Sequence, residues 1–121
     1  MTTLIRLAPP NSMIFVEDSR GGRIPDSMNQ SLISATESCI AVGCQAEDDG
    51  ETEIVLGYCN NVDTGELPVF DGVLQTPSRK LVVRTVLGTT LLEMPVPRAE
   101  TKLRVWANDR TEPDQIAVGI V

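Results

Sequence analysis

From Met13 onward the apolar residues of this chain recur with period two far more often than with a helical period, and Gly, Pro, Asn or Asp interrupts them every few residues. That pattern disfavours long helices and asks for short strands joined by turns. The stretches Ser12 to Asp18, Thr36 to Gln45, Glu51 to Asn60, Val69 to Leu74, Arg79 to Leu87, Thr90 to Val96, Thr101 to Ala107 and Gln115 to Val121 all read as strands, while Met28 to Ala35 reads as loop. About seven or eight short strands in a chain of this size predict an all-β fold, an antiparallel two-sheet β-sandwich, with a partly open barrel as the alternative. A single domain is expected over residues 1–121.

Alternation also assigns faces. Leu103, Val105 and Ala107 should line the core with Ile116, Val118 and Ile120, leaving Lys102, Arg104 and Trp106 on the other side of their strand. Leu81, Val83 and Leu87 contrast with Lys80 and Arg84 in the same way. The dipeptide Asp49-Gly50 between two alternating runs predicts a hairpin joining 36–45 to 51–60, and Gly88-Thr89 predicts another. Pro95 and Pro97 put the end of their strand at a sheet edge or in a loop.

With hydrophobic residues at 41% but aromatics at only 3%, the core must be aliphatic, and base-stacking surfaces are disfavoured. A formal net charge of -7 opposes nucleic acids and anionic membranes and favours a basic partner, though it is also what keeps many small domains soluble. No apolar run has the length of a membrane span or of a signal-peptide core, and three irregularly spaced cysteines suit a reducing compartment, so a cytoplasmic protein is expected. The chain has no histidine, which removes the commonest general base and transition-metal ligand. No catalytic residue, metal or cofactor is predicted.

Two acidic stretches stand out. Asn108, Asp109, Glu112 and Asp114 crowd one loop beside the only tryptophan, Trp106, and read as a solvated turn, a partner-binding surface or the ligands of a calcium ion. Glu47, Asp48 and Asp49, followed by Glu51 and Glu53, read as a soluble hairpin tip or an arm for a basic surface; the two stretches together would make a larger anionic face. Trp106 is expected to be partly buried with an exposed edge that anchors a partner. Cys39 and Cys44 point to opposite faces of one strand, and the predicted hairpin would set Cys39 opposite Cys59, where a disulfide is conceivable although reduced thiols are favoured. The stretch Arg20 to Arg23, RGGR, is a turn or a weak anion site.

In order along the chain, the IFVED strand, the loop with IPD, CIAVGCQ and TEIVLG, then RKLVVRTV, a return strand ending in prolines and KLRVWAND resemble the competence protein J type of small bacterial β-sandwich, a family that includes an inhibitor of a competence-associated DNA nuclease. The resemblance implies a non-catalytic protein that binds another protein, and assigns no residue a role. The expected function is therefore an acidic inhibitor or immunity-type partner of a basic enzyme such as a nuclease, with Trp106, Asp109, Glu112, Asp114, Glu47, Asp48 and Asp49 as its contact residues. A small-molecule or calcium-binding sandwich, or a structural subunit assembling through strand edges, is the alternative; the oligomeric state stays open.

Overall fold

Strands with an apolar residue at every second position have one face to bury, and here two sheets bury those faces against each other. The computed structural model describes residues 2–121. Within them lie β1 (Thr3–Leu7), β2 (Met13–Asp18), β3 (Ile33–Ala35), β4 (Cys39–Gly43), β5 (Thr52–Tyr58), one helical turn α1 (Cys59–Val62), β6 (Phe70–Gln75), β7 (Lys80–Thr85), β8 (Thr90–Pro95), β9 (Glu100–Ala107) and β10 (Gln115–Ile120). The first sheet has the order β1-β5-β10-β9-β6 and the second β3-β4-β2-β7-β8. Neither closes on itself, so the architecture is the all-β sandwich and not the barrel. No described helix is long and apolar enough to cross a membrane.

The core is aliphatic, as the scarcity of aromatics requires. Ile14, Val16, Ile40, Val42, Leu81 and Val83 from the second sheet meet Ile54, Leu56, Leu103, Val105, Ile116, Val118 and Ile120 from the first in one buried cluster. The inner rows expected for β7, β9 and β10 are therefore met, with two corrections: Ala107, at the end of β9, is only partly buried and outside this cluster, and Leu87 is 75% exposed, because β7 ends at Thr85 and the turn through Gly88, at φ +89°, carries Leu87 out to solvent. The β7–β8 hairpin forms as expected, and β8 with Pro95 is an edge strand, where a missing N–H costs no ladder bond.

Other expectations fail on strand partners. The runs on either side of Asp49-Gly50 do not pair, since β4 belongs to the second sheet and β5 to the first. Residues 44–51 form an arch between sheets, made of a short 3-10 turn at Glu47–Asp49 followed by Gly50 at φ +118°. The physical reason is that Ile40 and Val42 face Ile54 and Leu56 across the core, an arrangement that places the strands in opposing layers. Instead β5 pairs antiparallel with β1 and parallel with β10, so the fold is mainly and not wholly antiparallel. Strand β1 and the short β3, at Ile33–Ala35 within the expected loop, are additional edge strands.

The cysteine pairing falls with the hairpin. Cys39 packs with Phe15 and Ala41 on the outer face of the second sheet, Cys59 packs beside Val62 and Trp106 on the outer face of the first, and Cys44 joins the core; all three are free thiols.

The RGGR turn also has a structural explanation. Gly22 lies so close to Ser38 that a Cβ would collide with its carbonyl, which restricts the position to glycine. The Gly22 N–H donates to Glu17 Oε1 at 3.1 Å and the Arg20 N–H to Asp18 Oδ2 at 3.1 Å, so these backbone donors already hold the chain's own carboxylates. Glu17 is 4% exposed and paired with Arg84, whose guanidinium also donates to the Ser19 carbonyl at 2.9 Å. Removing one partner of such a buried pair strands the other, so Arg84→Ala should cost about 3–5 kcal/mol in a urea or guanidinium unfolding curve. A loss under about 1 kcal/mol would instead place the pair among solvent-screened surface bridges.

Candidate protein-binding site at the acidic end

Three connections meet at one end of the sandwich: residues 8–12, the arch 44–51 and the β9–β10 loop 108–114. Backbone bonds lace them together. The Cys44 N–H donates to the Ser12 carbonyl at 2.9 Å, Gln45 to Pro113 at 3.0 Å and Glu53 to Asp114 at 2.8 Å, while the Asn11 N–H donates to Glu47 Oε1 at 2.9 Å. The two acidic stretches, separate in sequence, thus stand side by side.

The β9–β10 loop is built by its own polar side chains. Asn108 Oδ1 accepts from the N–H groups of Asp114 and Gln115, and its amide donates to Asp114 Oδ1 at 2.6 Å, closing the loop across its neck. At the tip, Asp109 Oδ2 accepts from the backbone of Glu112 and from the backbone and hydroxyl of Thr111. Those bonds favour the ionised form and hold the Asp109 carboxyl below the usual Asp range, the Glu112 N–H contributing most. Asn108, Asp109 and Asp114 are thus committed to shaping the loop, and Glu112 joins Glu47, Asp48 and Asp49 as exposed charge. Within the three connections Arg110 is the lone basic residue.

Trp106 is where the expectation needs correction. It does lie on the face of β9 opposite the core, yet it is only 2% exposed and offers no partner an aromatic edge. Helical turn α1 and the segment after it cover the indole, which packs with Val62 and Ala117 and donates from Nε1 to the Glu66 carbonyl at 3.0 Å. Gly119 makes room for this cover, because a Cβ there would come within 2.9 Å of Trp106, Cys59 and Val62. The signal for it was the glycine pair Gly57 and Gly119, which the parallel register of β5 and β10 sets opposite each other.

Sequence reasoning also missed an open groove beside the covered tryptophan, about 280 Å³ in volume. Val55, Val62, Ala117 and Trp106 supply its apolar lining, and Glu53, Asn61, Thr64, Glu66, Asn108 and Gln115 its polar one. A broader depression of about 610 Å³, lined by Val73, Arg98, Lys102 and Val121 among others, lies where β9 begins and β10 ends.

The thiols are poorly suited to nucleophilic work. Burial, reinforced by the nearby Glu17 charge, pushes the Cys39 thiol up to about 12, and burial raises Cys44 and Cys59 as well. Among the described residues no group of three or more Cys, Asp or Glu side chains is gathered so that it could hold a metal ion.

These features define a small two-sheet β-sandwich whose connections make one anionic end. Sequence comparison finds no matching family model and no matching curated protein. Among solved structures, the chain is similar to ComJ, inhibitor of the DNA degrading activity of NucA, from Bacillus subtilis, over 98% of this chain and 94% of that one, with a TM-score of 0.68 and 10% identity. The protein described as crocagin biosynthetic gene J aligns over the same shares with a TM-score of 0.49 and 12% identity. At 10% identity the likeness to ComJ establishes a shared fold, the one that the strand pattern resembled.

Two outcomes test the reading of the β9–β10 loop. Because its oxygens are turned onto its own N–H groups, thermal melting should give the same midpoint in millimolar calcium and in EDTA; a calcium-dependent rise would restore the calcium reading. Asp109 has a depressed value in the folded state, so its contribution is complete above the ordinary Asp value of about 3.9 and fades as pH falls through the folded value. The midpoint difference between wild type and Asp109→Ala should accordingly be largest at neutral pH and shrink toward pH 2, and a difference that grows on acidification contradicts the assigned hydrogen bonds.

Proposed function

We propose that the protein works without catalysis by binding another protein, and that its partner is a basic enzyme that degrades DNA. The observation that carries this reading is the lacing of the arch to the β9–β10 loop through Gln45 and Pro113, which turns two acidic stretches into one exposed anionic surface. An enzyme that holds a phosphate backbone presents basic residues, and a fixed array of carboxylates competes for them and steers the encounter. The loops are held by their own hydrogen bonds, so little ordering cost falls on association. The fold shared with an inhibitor of DNA degrading activity agrees with this reading. A chain with no histidine and with thiols that burial pushes upward agrees with a non-catalytic role.

Asp48, Asp49, Glu47 and Glu112 act as the main contacts, Asp109 and Asp114 shape the loop that presents Glu112, and Trp106 supports the surface from beneath its cover. The test is a plasmid-degradation assay with the DNA-degrading fraction of the source cells. Added protein should slow degradation saturably, less so at high salt, and a Glu47→Gln, Asp48→Asn, Asp49→Asn, Glu112→Gln variant with an unchanged melting midpoint should need on the order of tenfold more protein for the same effect. Degradation that proceeds at the same rate at every protein concentration refutes the inhibitor reading.

A further inference from the structure

We infer that the groove beside Trp106 receives an arginine side chain from the protein partner, an inference that rests on the protein-binding reading above. The groove's lining divides in the way an arginine does. Val55 and Ala117, neighbours in the register of β5 and β10, provide an apolar surface for the aliphatic stem. Glu53 and Glu66 are among the lining residues and carry the negative charge that a guanidinium pairs with.

Three observations favour this occupant. The volume, about 280 Å³, is below the roughly 300–1,000 Å³ of sites that enclose a drug-sized molecule, and suits one long side chain. The chain's own Arg6 already pairs with Glu53, its Nη2 2.7 Å from Oε1, so this carboxylate is one that a guanidinium reaches, and among the described residues Oε2 accepts no other hydrogen bond. Finally, the groove is continuous with the acidic end, since Asn108 lines it and also closes the neck of the β9–β10 loop. A partner seated on the acidic surface would have this groove at its margin, and Leu67, 90% exposed on the segment that covers Trp106, adds apolar contact there. Arginine suits the site better than lysine because a planar fork of donors can serve separate carboxylates at once. Arginine in a pocket at an interface is also the kind of contact that concentrates binding energy.

The experiment uses the full chain and the single indole N–H signal that Trp106 gives in a nitrogen-correlated NMR spectrum. The probe is acetyl-Gly-Arg-Gly-amide, compared with the same peptide carrying neutral citrulline. The arginine peptide should move the Trp106 signal saturably, and the citrulline peptide, like the Glu53→Gln, Glu66→Gln variant with the arginine peptide, should bind about tenfold more weakly. If the double variant is unstable, Glu66→Gln alone serves, since Glu66 is exposed and outside any strand. A Trp106 signal that does not move, or that moves equally with both peptides, overturns the inference. The two proposals fail separately. Arginine-peptide binding without any slowing of DNA degradation removes the inhibitor reading and keeps the groove; full inhibition by Glu53→Gln, Glu66→Gln removes the groove as a partner contact and keeps the inhibitor reading.

Discussion

The arch of residues 44–51 is the constraint on which the rest of the architecture depends. It takes the chain out of the second sheet at Gly43 and into the first at Thr52, so that Ile40 and Val42 and then Ile54 and Leu56 enter the same core from opposite sides. A simple hairpin would have put all four on one sheet and left the opposing layer to be filled by others. The arch also does the positioning at the acidic end. Its Gln45 N–H and the Glu53 N–H just beyond it bond to Pro113 and Asp114, so the same backbone that joins the sheets brings Glu47–Asp49 beside the β9–β10 loop.

The outer faces of the sandwich are covered in different ways. On the second sheet, Phe15, Cys39 and Ala41 are packed against Met28, and the nearby Arg20–Arg23 turn is held by Glu17, Asp18 and Glu37, the last held down to about 2 by its bond to Arg23. On the first sheet a single helical turn seats over two facing glycines and hides Trp106. Charge on one face and shape on the other achieve the same result, a covered layer, and the second leaves a groove beside the helical turn.

Much of this was legible in the residues and some of it could not be. Alternation located β2 and β4 to β10 and gave the correct inward rows at Leu81, Val83, Leu103, Val105, Ile116, Val118 and Ile120, because period two reports which side of a strand is buried. It does not report the neighbour. The runs around Asp49-Gly50 fit a hairpin and an arch equally well, and the difference lies in long-range packing. Strand β1 has adjacent apolar residues at Leu4 and Ile5 in place of a clean alternation, and β3 has only three residues, so neither gives a pattern. The acidic residues were visible from composition, whereas their adjacency depended on the arch, and the burial of Trp106 depended on a four-residue helical turn that no periodicity announces.

The parallel pairing of β5 with β10 has a consequence for the birth of the protein. Glu53 and Ile54 find their partners at Gln115 and Ile116, so the first sheet lacks its central strand until β10 has left the ribosome. Pairings this distant in sequence form late, after a long loop has been closed. Pro113 and Asp114, which Gln45 and Glu53 grasp, emerge just ahead of that strand. Until they are made the arch has nothing to hold there, so the two acidic stretches can stand side by side only once the β9–β10 loop exists.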